Sequence, residues 1–323
     1  MNLNFKEQLL KFTNSSSCLE TEEIQSLWSG YGKISRYELD NDEQKTVVVK
    51  YISLNKAKDH PRGWDTSNSH NRKVKSYEIE TYWYQHWNQR CNDKCKTPKF
   101  LGSYSEGQDQ WIILEDLNKD FPYRKYELEF SGVKNCLKWL AHFHATFLQQ
   151  EPTGLWKIGT YWHLDTRPDE FELIENRELK SKAKAIDEQL NNCKYFTIVH
   201  GDAKLANFCF SKNTKAIAAV DFQYVGGGCG MKDVAYFLGS CLSSHESEAH
   251  QEELLTYYFS ELRKAIEFEN LNIDFNELEK EWRSLYPFAC TDFTRFLLGW
   301  MPTHQKLNGY SLRLMNQVLA QLK

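Results

Sequence analysis

Apolar and polar positions along the chain divide it into two unlike parts. Residues 3–12 and 21–28 read as short helices around a serine-rich break at 15–17, and Ser29-Gly30-Tyr31-Gly32 reads as a turn. A strand is predicted over 34–39, Asp40-Asn41-Asp42 as a hairpin turn, and a returning strand over 45–52 around the β-branched run Val47-Val48-Val49. Residues 53–72 are polar, with Pro61 and Gly63, and predict a long loop. A helix over 73–90 and two strands over 100–105 and 110–115 complete this half.

After Leu117 the pattern changes. Residues 127–150 carry apolar side chains at helical positions, among them Leu137, Leu140, Phe143, Ala145 and Phe147. Residues 170–193 are helical and highly charged. Short apolar runs follow at 195–199, 208–210 and 216–220, and helices are predicted over 231–243, 247–269, 275–286, 291–300 and 309–322. The shift near 116–124 predicts an N-terminal lobe over 1–117 and a C-terminal lobe over 118–323. A chain of 323 residues with 41% hydrophobic content can bury a core large enough to be split in this way.

Charge and composition narrow the function classes. The net charge of −4 offers no overall basic field for nucleic acid or an anionic membrane. No apolar run approaches the roughly 18–20 residues of a membrane span, and the polar start of the chain lacks a signal-peptide pattern, so a soluble cytoplasmic protein is expected. The nine cysteines are odd in number and scattered. Cys91 and Cys95 form a close pair with no zinc-type partner, which points to reduced thiols.

The chemistry concentrates in His200-Gly201-Asp202-Ala203-Lys204-Leu205-Ala206-Asn207 and Ala219-Val220-Asp221-Phe222. Asp202 follows an apolar run and opens a loop, where a carboxylate can orient an acceptor hydroxyl and take its proton. Lys204 can reach a transferring phosphate as a point charge. Asn207 stands five residues after Asp202, the Asp-to-Asn spacing of a protein-kinase catalytic loop. With Asp221 at the end of a second short run, it offers hard oxygen ligands for Mg²⁺. Asp and Asn are common in ordinary turns. Two such motifs in the right order, each at a strand end, point instead to phosphoryl transfer from ATP.

These motifs resemble those of the aminoglycoside phosphotransferase and choline kinase superfamily, whose catalytic loop has the His-Gly-Asp form. Within it the chain is most similar to the ecdysteroid-kinase-like and CHK-kinase-like branch, through Glu115-Asp116-Leu117 and Val220-Asp221-Phe222-Gln223. The resemblance runs from about residue 30 to Trp300. It implies an α+β, two-lobed protein-kinase-like fold, with a small β-rich N-lobe and a larger α-helical C-lobe. It also implies that Lys50, rather than Lys45, binds nucleotide phosphates and pairs with a helical glutamate, either Glu78 or Glu80. Glu80 shares a helical face with Tyr77, Tyr84 and Trp87 and is the preferred partner. Gly30, Gly32 and Ser35 correspond to the phosphate-covering loop, although Ser35 replaces its third glycine and a plain turn fits almost as well. Glu115, Asp116 and Leu117 correspond to the hinge that receives adenine through its backbone.

Other residues read as structural. Asp233 reads as a helix N-terminal charge, His200 as a brace for the loop, and His142 and His144 as packed or hydrogen-bonded. Gly226-Gly227-Gly228-Cys229-Gly230 reads as a short, pliable activation segment, and no Ala-Pro-Glu follows it, which disfavours a protein kinase. For the acceptor the candidates are Asp292 with Trp282 and Trp300, joined by Tyr286, Phe293 and Phe296. Such a set would suit a cationic or amphipathic alcohol. The same aromatics at helical spacing also fit a core, with Asp292 paired to Arg295. The expected activity is transfer of the ATP γ-phosphate to a small-molecule alcohol. A nucleotide-binding pseudokinase is the alternative, and the choline-like, sterol-like, sugar or aminoglycoside-like identity of the acceptor and the oligomeric state are left open.

Overall fold

A computed structural model describes residues 2–27, 30–54 and 67–322. The chain begins with the helix Leu3–Thr13 (α1), whose first turn is capped by the Asn2 side chain accepting from the Phe5 N–H. Five strands then build one antiparallel sheet: Cys18–Ser26 (β1), Gly32–Leu39 (β2), Thr46–Ser53 (β3), Phe100–Glu106 (β4) and Asp109–Glu115 (β5), in the order β1-β2-β3-β5-β4. The helix Ser67–His86 (α2) lies in the chain between β3 and β4.

Strand alternation divides the sheet between two environments. Val47 and Val49 join Tyr37, Trp111 and Ile113 in a cluster with Phe5 and Leu9 of α1. The Phe5 ring stacks on Trp111 at 5.0 Å. The intervening Val48 and Lys50 face the other way, into a cleft.

The helix expected over 21–28 is largely strand β1; Trp28 lies outside the described residues. Its side chains explain the difference. The Glu20 and Glu22 carboxylates pair across the ladder with Lys33 and Arg36 of β2, so the segment gains cross-strand ion pairs and has little apolar face to bury as a helix. The long loop expected over 53–72 is shorter, because Ser53 closes β3 and α2 begins at Ser67. Residues 55–66 lie outside the described residues.

The C-terminal part is helical: Phe130–Thr146 (α3), Pro168–Glu172 (α4) and Arg177–Asn191 (α5) come first. Four three-residue strands follow, Thr197–Val199 (β6), Phe208–Phe210 (β7), Ile217–Ala219 (β8) and Gly226–Gly228 (β9), forming the antiparallel pairs β6–β9 and β7–β8. Met231–Cys241 (α6), Ser244–Phe268 (α7), Phe275–Trp300 (α8) and Gly309–Gln321 (α9) complete the fold. The glycine run is therefore a buried strand and not a loose segment. Its glycines permit close packing, since a Cβ at Gly226 would stand 2.2 Å from the Trp156 carbonyl oxygen. The two helices expected on either side of Pro287 are one, α8, because buried side chains continue across the proline and outweigh one lost backbone bond.

An aromatic column ties the two parts together. Trp83 of α2 stacks on Phe222 at 4.8 Å, Phe143 of α3 packs 5.7 Å from Trp83, and Trp139 stacks on Phe143 at 5.0 Å. The architecture is thus α+β, with an antiparallel sheet in the N-terminal part and a helical C-terminal part. Among the described residues no helix is long and apolar enough to cross a membrane.

Helix α8 meets α4 at Gly299, where a Cβ would lie 1.9 Å from the Glu170 carbonyl oxygen. Backbone cannot yield there as a flexible side chain would. Gly299→Ala is expected to lower unfolding free energy by about 1–3 kcal/mol, measured by urea denaturation; an unchanged midpoint would show that α4 can shift freely.

Candidate active site

The site begins with a strand that ends at a sharp turn. Buried β6 delivers the chain to His200, and Gly201 then adopts φ +79° with its Cα against the Tyr224 carbonyl. A Cβ at Gly201 would lie 2.0 Å from that oxygen, so both the positive φ and the space require glycine. The turn is held from beneath by Asp233, in the first turn of α6. Its carboxylate accepts from the backbone N–H of His200 at 2.6 Å and of Gly201 at 2.9 Å, and lies 3.2 Å from His144 Nε2. The other ring nitrogen of His144 meets the Tyr258 hydroxyl at 2.7 Å. Asp233, read from the sequence as a helix-end charge, is fully buried, and its partners include the backbone of the loop itself. The linear pattern conceals this because those partners come from other elements.

His200 braces the next step. Its Nε2 lies 3.1 Å from the Val220 carbonyl oxygen, and its Nδ1 accepts from the Asp202 N–H at 3.3 Å. This pairing selects the tautomer with hydrogen on Nε2. The imidazole thereby links the loop bearing Asp202 to the residue before Asp221.

Asp202 is 6% exposed. Its Oδ2 accepts from Lys204 Nζ at 2.9 Å and Asn207 Nδ2 at 3.1 Å, while Oδ1 is buried without a close hydrogen bond, and the Tyr236 hydroxyl interacts with the carboxylate. Asn207 Nδ2 also donates to the Asp202 carbonyl at 2.8 Å, so both bonds use the amide nitrogen. Asp221 adopts φ +71°. Its Oδ1 accepts from Gln223 Nε2 at 2.7 Å and Lys50 Nζ at 3.4 Å. Burial opposes its ionisation, but the charges of Lys50, Lys204 and Lys73 outweigh that and hold its carboxyl down at about 2.

Lys50 reaches this group from β3 and lies 2.6 Å from Glu80 Oε2 of α2. Burial pulls the ammonium toward neutrality, and the Glu80 and Asp221 carboxylates reverse that and raise its pKa. Glu80 is buried and Glu78 is exposed, so the structure pairs Lys50 with Glu80; Lys45 is exposed. Helix α2 also supplies Lys73, whose Nζ donates to Gln223 Oε1 at 2.7 Å. Gln223 therefore connects Lys73 to Asp221, a link with no counterpart in the sequence reading.

These groups line one cleft of about 850 Å³. Leu27, Ile34 and Val48 of the sheet side line it, as do Glu115, Asp116 and Leu117. The Glu115 carboxylate accepts from Lys96 Nζ at 2.7 Å, and Asp116 accepts from Arg36 Nε at 2.6 Å and from the Asn118 N–H at 3.0 Å. Gly30 and Gly32 form the β1–β2 turn, with φ of +73° and +145°. Ser35 does not face the cleft. Alternation gives the cleft to Ile34 and Arg36, and the buried Ser35 hydroxyl donates to Glu20 at 2.8 Å.

Two of the three acceptor candidates are also displaced. Asp292 is fully buried, accepting from Arg295 Nε at 2.9 Å and Trp162 Nε1 at 3.0 Å. Trp282 is fully buried against Gly230 and donates to the Tyr195 carbonyl at 2.7 Å. Both are core residues: Arg295 and Trp162 close over Asp292, and Gly230 and Tyr195 close over Trp282. Trp300, near the open end, does line the cleft and stacks on Phe296 at 5.5 Å. Tyr161, Arg167, Tyr236 and Lys306 join it there. No sequence signal marks them, since they come from separate loops and helices.

Residues 160–271 match the model of the ecdysteroid kinase-like family. The matched span contains the loop from His200 to Asn207, Asp221 and Asp233, and it bears out the resemblance to the ecdysteroid-kinase-like branch. The fold matches that of a microcompartment-associated aminopropanol kinase with a TM-score of 0.55 at 15% identity, over 98% of this chain and 94% of that one. A putative fructosamine-3-kinase from Haemophilus somnus 129PT gives 0.48 at 14% identity, over 98% and 96%. The Plasmodium vivax ethanolamine kinase gives 0.47 at 12%, over 91% and 80%. No curated protein matches the chain in sequence.

Removal of the Asp233 carboxylate would strand two buried backbone donors and disturb His144. Each unmet buried group costs about 1–3 kcal/mol, so Asp233→Ala is expected to lose at least about 3 kcal/mol of unfolding free energy in urea. A variant as stable as the parent would remove Asp233 as the anchor of the loop.

Proposed function

We propose that this protein is an ATP-dependent phosphotransferase acting on a hydroxyl group of a small molecule. The observation that carries the reading is the convergence of Lys50, Asp202, Asn207 and Asp221 on one cleft, with Asp202 Oδ1 buried and without a close hydrogen bond. A general base needs such a free oxygen directed at its substrate.

ATP would lie between an N-terminal lobe over 1–117 and a C-terminal lobe over 118–323, with adenine at 115–117 and its phosphates toward Lys50 and Lys204. The donor set suits magnesium. Asp221 is kept ionised by three lysines, and Asn207 supplies a neutral amide oxygen. Among the described residues no cluster of three His, Cys, Asp or Glu side chains forms a protein-only metal cage. Nucleotide-bound magnesium needs none, because phosphates and water complete its shell. When bound, the ion neutralises phosphate charge.

Asp202 orients the acceptor hydroxyl and receives its proton as the oxygen bonds to the γ-phosphorus. The bond from that phosphorus to the β–γ bridging oxygen breaks, and ADP leaves. Lys50 and Lys204 hold phosphate oxygens, so the protein contributes mainly position and fixed charge. Glu80 positions Lys50, and Gln223 orients Asp221.

The test is ADP release from Mg·ATP across a library of hydroxyl compounds, with mass spectrometry of the phosphorylated product. Asp202→Asn is expected to reduce kcat by about 10²–10⁴ while nucleotide binding persists. Full turnover in that variant, or no phosphorylated product from the parent protein across the library, would overturn the reading.

A further inference from the structure

The acceptor end of the cleft has the opposite charge to the one expected from Asp292. Six carboxylates line the cleft, and each already has a basic partner: Glu22 and Asp116 pair with Arg36, Glu80 and Asp221 with Lys50, Glu115 with Lys96, and Asp202 with Lys204. Each is already engaged by a cation of the protein. Across the whole lining, eight lysine and arginine side chains face these six carboxylates, so cations are in surplus. Arg167 and Arg72 share the single carboxylate of Glu170, at 2.8 and 3.9 Å. Among the described residues Lys306 has no carboxylate within salt-bridge distance. Its Nζ lies over aromatic rings instead, 4.7 Å from the centroid of Tyr236 and 5.5 Å from that of Phe293. Burial lowers its pKa to about 8, and Asp202 and Lys204 act on it with opposite signs.

Lys306 stands beside a cluster of aromatic rings. Tyr161 packs edge-on to Phe296 at 5.4 Å and to Tyr236 at 5.5 Å, and Phe296 stacks on Trp300. Arg167 lies 5.1 Å over Phe296. Two cations thus lie against this aromatic wall, Lys306 over Tyr236 and Phe293 and Arg167 over Tyr161 and Phe296.

We propose that the acceptor is an amphipathic alcohol that carries an anionic group, a carboxylate or sulfate, paired with Lys306, and that cationic amino alcohols are excluded. The proposal rests on the phosphotransferase reading for the role of the hydroxyl. The apolar body of the acceptor covers the aromatic wall, and its hydroxyl meets Asp202. A half-buried ammonium that lies over aromatic rings, with no carboxylate in salt-bridge range among the described residues, gains a close counterion when such a ligand enters.

The test uses three matched probes: 6-(hydroxymethyl)naphthalene-2-carboxylate, the corresponding carboxamide, and the corresponding aminomethyl compound. Their affinities for the full chain are measured by calorimetry without nucleotide. The carboxylate is expected to bind about ten- to hundredfold more tightly than the carboxamide, the range of one charge-assisted hydrogen bond, and the amine most weakly. Lys306→Gln is expected to erase the difference between carboxylate and carboxamide, and Lys306→Arg to keep it. Three results overturn the proposal: an amine that binds as well as the carboxylate, a preference that survives Lys306→Gln, or no binding of any probe. A Lys306→Gln variant that lowers kcat equally for all three probes with unchanged affinity ratios also overturns it, because Lys306 would then serve the transferring phosphoryl group. The two readings fail separately. A carboxylate preference that persists without ADP release or product from any library alcohol sinks only the phosphotransferase reading, whereas product formation with preference for the amine sinks only this one.

Discussion

The buried carboxylate of Asp233 is the constraint on which the site depends. It gathers two consecutive backbone N–H groups and an imidazole at the point where β6 ends. A carboxylate out of water is stable only when its oxygens are met by donors in good geometry. Meeting that condition leaves the chain little choice of path from His200 to Asp202. His200 then spans to Val220, and Asp202 binds the side chain of Asn207, so one anchored turn sets the direction of the whole loop.

A second constraint couples this loop to the sheet. Phe222 follows Asp221 and stacks on Trp83, in the same helix as Lys73 and Glu80. Packing of two rings therefore governs where Asp221 stands relative to Lys50. The ion contacts among Lys50, Glu80 and Asp221 add charge balance to a geometry that aromatic burial imposes. The Gln223 amide, bonded to Lys73 and Asp221, closes the same circuit through neutral atoms.

Much of the fold was legible in the sequence. Four of the five sheet strands follow from β-branched alternation and turn residues, and the long helices follow from apolar spacing. Strand β1 escaped because its pairing is written in charges on β2, which a local window does not see. Gly226–Gly228 escaped because glycine reads as freedom until a neighbouring backbone presses against it. Pro287 read as a break because the burial that carries α8 through it lies on other helices. In the site, the Lys50–Glu80 choice was legible, since one helical face holds Glu80 with buried aromatics and leaves Glu78 outside. Asp292 was ambiguous in the sequence, with Arg295 a turn away, and resolved into that local pair.

What the sequence by itself determined is the set of chemical groups and their order: a base, a cation and an amide within one loop, and a carboxylate after the next short strand. Those residues are close in the chain, so spacing constrains them directly. Only the tertiary structure decided which carboxylates are already paired and which cations, among the described residues, stand outside salt-bridge range of one. Arg36 meets Asp116, Arg167 shares Glu170 with Arg72, and Lys306 faces rings from α6 and α8. Charge balance in a cleft is a sum over space, and its members come from segments that the linear pattern does not connect.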